Sequence, residues 1–229
     1  MHYNFIEIGT SDFDTLIQST SNQTGLSIDP IQLYLDKLPD NPHVIKVNAA
    51  ISFKDGFADA FWVNPEDITK YNLSWYLKGC NSIYEPHPLT LKEIQDKNLE
   101  HLMNKTKVEI LTWKTLVKRY NIEIVDFLKI DAEGHDTLIV NDILDNDAGV
   151  LPKKIIFEAN ALTSEEDLNK TLEKAQQCGY NFNYRAEINE VILTLQMKTK
   201  VNLYWDKWNF GVEERKGKYP TSPSKFIEY

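Results

Sequence analysis

Two cysteines, Cys80 and Cys178, are all that the 229 residues contain. They lie far apart and in no CxxC or Cys/His spacing, which excludes a disulfide framework and a cysteine-based metal module. A reduced, intracellular compartment follows as the expectation. No apolar run approaches the roughly 18 residues that a membrane span requires. The first nine residues, MHYNFIEIG, offer neither the basic start nor the apolar stretch of a signal peptide. The expected location is therefore the cytoplasm, and the Asn-x-Ser/Thr sequons at Asn22, Asn72, Asn104 and Asn169 are read as chance matches. Basic residues are also short in supply: 25 Lys+Arg against 34 Asp+Glu leave a net charge of −9. That balance argues against binding a phosphate backbone, so no nucleic-acid partner is expected. Glycine is sparse, at 9 residues, and no GxGxxG run occurs.

What remains is an ordinary globular composition, 42% hydrophobic and 26% charged, in a chain long enough to bury a core without covalent staples. One domain over residues 1–229 is expected. Short apolar runs alternate with helix-like stretches. Residues 3–8 read as a first strand, followed by a short helix over Asp12–Ser21 capped by Ser11 or Asp12. Leu26–Ile28 is a second strand, and Pro30 opens a helix carrying Ile31, Leu33, Leu35 and Leu38. Val44–Ile51 is a third strand. The pattern resumes at Val108–Leu111, followed by a helix over Trp113–Tyr120. Val125–Ile130 is a fourth strand and Lys154–Glu158 a fifth. Helices follow both, the first over His135–Leu144 and the second from Ser164 to Gly179, and strands over Asn181–Arg185 and Val191–Gln196 close the pattern. This alternation predicts an α/β fold with a doubly wound, mostly parallel sheet, Rossmann-like, with helices on both faces. Residues 53–107 break the alternation and are read as an insertion or lid after the third strand. Residues 198–229 form a C-terminal extension with seven Lys+Arg against four Asp+Glu.

In such sheets ligands bind beyond the carboxyl ends of the strands. Glu7-Ile8-Gly9-Thr10-Ser11 follows the first strand, Asp29 the second and Asn48-Ala49 the third. Asp131 to Asp136 follow the fourth, and Glu158 ends the fifth. A carboxylate 20 residues beyond a Gly turn is placed to accept hydrogen bonds from ribose hydroxyls. The bland alternative is that Asp29 caps the next helix. NAD would need a glycine-rich turn for its pyrophosphate. Here the turn runs into Asp12 and Asp14, which repel phosphate, whereas the ammonium and sulfonium of S-adenosylmethionine suit an acidic rim.

The run Val125-Asp-Phe-Leu-Lys-Ile-Asp-Ala-Glu-Gly-His-Asp136 resembles the signature of the FkbM family of S-adenosylmethionine-dependent methyltransferases. Phe5–Gly9, Asn48–Ser52 and Lys154–Glu158 are similar to that family's other motifs, in the same order. The resemblance implies a class I methyltransferase fold and S-adenosyl-L-methionine as cofactor. It also implies methyl transfer to a hydroxyl of a small molecule or glycan acceptor. It places Glu7, Gly9, Thr10, Ser11, Asp29, Asn48, Ala49 and Asp131 at the cofactor. Two departures stand out. Ser11-Asp12-Phe13 occupies the stretch where the family usually has a second glycine, and Asp29-Pro30 replaces its usual Glu-Pro.

A hydroxyl acceptor needs a base. His135, opening a helix whose dipole favours the neutral imidazole, is the first candidate, with Asp131 and Glu158 beside it. The alternative for His135 is packing at the helix start. Asp131, Glu133, His135 and Glu158 could also hold a divalent cation, but the expectation is no metal. Phe57, Phe61, Trp62, Trp75 and Tyr76 either wall a pocket or form a local core. His43, His87 and His101 are given no role. Two rival functions stay open: a methyltransferase-fold binding module without turnover, and a nucleotide-cofactor enzyme on a similar sheet. The oligomeric state is not readable from the sequence.

Overall fold

The computed structural model describes residues 1–13, 15–145 and 147–196. The C-terminal extension over 198–229 and Asp14 lie outside the described residues. Seven strands form the main sheet: β1 (His2–Ile8), β2 (Gly25–Asp29), β3 (Val44–Asn48), β8 (Ile124–Ile130), β9 (Lys154–Glu158), β10 (Tyr180–Arg185) and β11 (Glu190–Leu195). A second sheet of four holds β4 (Ala50–Ile51), β5 (Gly56–Val63), β6 (Ser82–Ile83) and β7 (Met103–Leu111). The helices are α1 (Leu16–Ser19), α2 (Gln32–Lys37), α3 (Pro65–Lys70), α4 (Pro88–Asp96), α5 (Trp113–Arg119), α6 (Asp136–Leu144) and α7 (Glu165–Gln177). None of them is long and apolar enough to cross a membrane.

The main sheet runs β10-β11-β9-β8-β1-β2-β3. β11 pairs antiparallel with both its neighbours, and the pairings from β9 to β3 are parallel. Strand order reverses between β1 and β8, which creates the crevice where such folds bind ligands. Register does the rest. Ile8 pairs with both Ile28 and Ile130, and Ile130 pairs with Phe157. The residues that follow this apolar row, Gly9, Asp29, Asp131 and Glu158, therefore leave the sheet side by side.

Both faces of the sheet are covered. On one, Ile6, Ile8, Leu26, Ile28, Leu128 and Ile130 pack with Trp113, Leu116, Ile139, Ile143 and Leu172. Phe5 faces the opposite side with Ile17, Leu35, Leu38 and Val44. The strands read as apolar runs because both faces are buried. Each fully buried aliphatic side chain contributes about 1.5–3 kcal/mol. Trp113 is buried whole, and its indole N–H donates to the Val150 carbonyl at 2.9 Å, so its burial leaves no orphaned donor.

Two expected boundaries are corrected. The first helix is only Leu16–Ser19, with Thr15 and not Ser11 or Asp12 before it. Gln18 Oε1 accepts from the Thr15 N–H at 3.3 Å. Asp12 is unavailable as a cap because its carboxylate pairs with Lys78, and with Lys37 at 3.8 Å. The third strand does not run to Ile51. It stops at Asn48, and Ala50–Ile51 join the second sheet by pairing with Ile110 and Leu111. The switch is clamped by the Asn48 amide, which donates to the carbonyls of Asp29 and Pro30 at 3.1 and 2.9 Å.

Gly9 is required by contact as well as by conformation. Its φ is +77, and a Cβ there would stand 1.8 Å from the Asp131 carbonyl oxygen. Gly9→Ala should therefore lose at least about 3 kcal/mol of stability. Urea unfolding followed by tryptophan fluorescence measures it, and a loss below about 1 kcal/mol would contradict this packing.

Candidate functional site

A cavity of about 420 Å³ opens at the carboxyl ends of β1, β2, β8 and β9. Of the residues expected at the site, Gly9, Thr10, Ser11, Asp29, Ala49, Asp131, His135 and Glu158 line it. Glu7 and Asn48 do not. Glu7 is wholly buried below the rim, accepting from the Leu16 N–H at 2.9 Å and from Lys129 Nζ at 3.1 Å. It ties the start of α1 to β8. Asn48 is spent on the two carbonyls that end β2 and begin α2.

Asp29 is 3% exposed and receives two backbone N–H groups, Ser11 at 2.8 Å and Ile31 at 2.7 Å. Asp29 stands on the rim as expected but does not cap the next helix: Ile31 precedes α2 with no side-chain cap, and Asp29 accepts its N–H in the turn before it. Burial pushes its carboxyl up to about 7 despite these donors, with Asp12 and Asp131 adding repulsion. Ser11 sits at φ +49, the left-handed conformation that favours glycine. The turn thus keeps a glycine-like path although the residue has changed, at a cost of about 1–2 kcal/mol.

The loop after β8 is equally constrained. Glu133 and Gly134 take φ of +48 and +91, and a Cβ on Gly134 would stand 2.9 Å from Leu162. Asp131 is raised to about 6, by burial first and Glu133 second. Glu158 is raised to about 7 by burial and then by Asp131 and Glu133. Its Oε2 accepts from Asn160 at 2.7 Å. Asp136, almost fully buried, holds the backbone N–H groups of Ala132 and Glu158 at 3.3 Å each and is raised to about 8, chiefly by burial. His135 precedes α6 as expected, but its imidazole stays neutral mainly because burial lowers its pKa. Its ring stacks on Tyr84, with centroids 5.6 Å apart.

The rest of the wall comes from residues 75–89, which the sequence did not assign as a unit. Trp75, Tyr76, Cys80, Asn81 and Leu89 line the cavity with Phe13. Of the five aromatic residues considered, Trp75 and Tyr76 line the cavity and Phe57, Phe61 and Trp62 do not. Trp62 packs against the buried cluster of Tyr34, Ala58, Ala60 and Ile110, Phe57 is 69% exposed, and a separate buried cluster is built on Val63, Ile68, Leu73, Leu77 and Ile94. His87, given no role from the sequence, is buried with Nε2 3.3 Å from Glu133 Oε2. Its position before Pro88 marks a helix cap, the one local signal available. Of the four residues considered for a cation, only Glu133 belongs to the close donor set among the described residues, with Cys80 and His87.

The family model for the methyltransferase FkbM domain matches residues 8–182 of this chain. The chain belongs to the FkbM methyltransferase family. The matched span runs from the end of β1 into β10 and holds every cavity-lining residue named above. Comparisons with curated proteins and with solved structures gave no match.

The buried carboxyls of this methyltransferase dictate an inverted pH response. Asp29, Asp131, Asp136 and Glu158 hold protons in the folded state up to about 6–8, against about 4 when unfolded. The folded state therefore binds more protons across that window, so stability falls as pH rises from about 4 to about 8. Thermal unfolding should show a higher Tm near pH 5.5 than near pH 8. Asp136→Asn should flatten the upper part of the slope. A Tm that rises from pH 5.5 to 8 would contradict the burial of these charges.

Proposed function

We propose that this chain transfers the methyl group of S-adenosylmethionine to a hydroxyl oxygen of a neutral small molecule or sugar. The observation that carries the reading is the donor set of the cavity: four carboxylates, Asp29, Asp131, Glu133 and Glu158, line it against one lysine, Lys129, which already pairs with Glu7. Such a wall suits a cation and repels a pyrophosphate or an anionic acceptor.

These residues fit the cofactor. Asp29 keeps lone pairs for ribose hydroxyls beyond the two N–H groups it accepts, with Pro30, Ala50 and Ile51 beside it as apolar surface for a flat base. Asp131 and Glu158 would face its charged end. When bound, S-adenosylmethionine supplies an electrophilic methyl carbon on a cationic sulfur. The chain's own part is to neutralise that charge, hold the acceptor in line and exclude water. Residues 53–107 act as the lid, with Trp75, Tyr76 and Leu89 offering exposed apolar surface that a bound acceptor would cover. His135, Asp131 and Glu158 are each able to take a proton near neutral pH, since burial keeps the imidazole neutral and raises the carboxyls toward that range. The glycine-like path at Ser11 favours a working cofactor turn over a degenerate one.

A thermal-shift titration tests the reading. Either S-adenosylmethionine or S-adenosylhomocysteine at a hundred times its Kd should stabilise the fold by about 2.7 kcal/mol, and Asp29→Ala should remove most of that shift. Affinity should rise with pH between about 6 and 8, more steeply for the sulfonium than for the neutral thioether, as Asp131 and Glu158 lose their protons. A shift with NAD and none with either sulfur compound would replace the proposal with a nucleotide-cofactor enzyme.

A further inference from the structure

Glu133 and His87 form a pair outside the roles given to Asp131, His135 and Glu158. His87 is 4% exposed and precedes α4, where its Nδ1 accepts the Leu89 backbone N–H at 3.2 Å. A ring nitrogen that accepts carries no proton, so the neutral ring bears its proton on Nε2. That nitrogen lies 3.3 Å from Glu133 Oε2, within ion-pair distance. One oxygen of Glu133 therefore sits against the His87 ring. The other, Oε1, makes no hydrogen bond among the described residues. It lies 3.9 Å from the place a Cβ on Gly79 would take, so the glycine leaves the space beside it open. Glu133 lines the cavity, and its φ of +48 is a conformation that few glutamates adopt without a compensating role.

The same neighbourhood offers a second possibility, which the hydrogen bonding decides. Cys80 Sγ, a His87 ring nitrogen and a Glu133 oxygen lie within 4.8 Å of one another, a donor set that zinc accepts. A metal would need the lone pair of the nitrogen facing Glu133. While the Leu89 N–H occupies Nδ1, that nitrogen carries the proton instead. The arrangement is that of an oriented carboxylate, as when a second group fixes the geometry of a catalytic base.

We propose that Glu133 is the catalytic base for the acceptor hydroxyl and that His87 is the residue that positions it. This rests on the methyl-transfer reading. In the step, a lone pair of the acceptor oxygen forms the bond to the methyl carbon while the electrons of the methyl–sulfur bond stay on sulfur. The hydroxyl proton passes to Glu133 Oε1 and from there to solvent. Glu158 and His135 line the same cavity and are the competing candidates, which the Glu133→Gln assay separates from Glu133.

The test uses the full chain with Glu133→Gln, His87→Asn and Cys80→Ala. Asparagine is a good helix cap and keeps an acceptor for the Leu89 N–H, but is too short to reach Glu133. Long-range nitrogen–proton NMR, with the His87 signal assigned by its loss in His87→Asn, should show the Nε2–H form. An Nδ1–H form would overturn the proposal. So would a thiolate-to-cobalt absorption band on Co²⁺ titration that disappears in Cys80→Ala. With labelled S-adenosylmethionine and a panel of methyl glycosides and simple phenols, Glu133→Gln should lose about 100-fold or more in rate. Its affinity for S-adenosylhomocysteine, read by thermal shift, should fall far less than the rate does. His87→Asn should lose about tenfold in kcat with KM little changed, because the base is present but no longer positioned. Full activity in Glu133→Gln removes Glu133 and leaves methyl transfer standing. A wild type that binds S-adenosylhomocysteine yet methylates none of these hydroxyls overturns the methyl-transfer reading and the base together.

Discussion

Where β1 and β8 end, the chain passes so close to itself that the carbonyl oxygen of Asp131 fills the space in which a side chain on residue 9 would begin. The Asp131 N–H completes the contact by donating to the Ile8 carbonyl at 2.9 Å. Two loops distant in sequence, Gly9–Ser11 and Asp131–His135, are thereby fixed side by side. The strand register extends the same rim to Asp29 and Glu158. Everything chemical in this protein is arranged on that rim. Its geometry depends on backbone contacts that no side-chain substitution can supply.

The second constraint is charge taken out of water. Asp29, Asp131, Asp136 and Glu158 all have their carboxyls raised by burial, and their mutual repulsion adds to it. Asp136 gains two backbone donors in exchange, and Asp29 also gains two. Asp131 and Glu158 are less fully compensated, and they line the cavity wall together with Asp29. The nearby lysines offset this only in part: Lys129 pairs with Glu7 and also lowers the Asp131 carboxyl, and Lys78 pairs with Asp12. On the proposed function, binding a cationic ligand would offset a desolvation cost already incurred in folding.

Much of the architecture was legible because parallel strands buried on both faces are written as contiguous apolar runs, and three of the main-sheet runs lead straight into residues that line the cavity. Ile8-Gly9, Ile28-Asp29 and Ile130-Asp131 are local patterns. The failures are equally physical. Asp12 looked like a cap because its competing partners, Lys78 and Lys37, come from elsewhere in the chain. Val44–Ile51 looked like one strand because nothing local marks the change of sheet at Ala49. The side chain that clamps it, Asn48, was read as a cofactor contact. The four-stranded sheet over 50–111 was missed as a unit since its longest pairing joins β5 to β7 across two helices.

From the sequence alone, local patterning determined the doubly wound sheet, the acidic strand ends and the family signature around Asp131–Asp136. These depend on periodicity and on residue order, which neighbours along the chain express directly. Tertiary structure decided which of those residues meet a common space, and it turned Glu7 and Asn48 into supports. It also brought His87, silent in the sequence, against Glu133. Such pairings are set by long-range packing and by which backbone groups already satisfy each side chain, and no pattern along the chain records them.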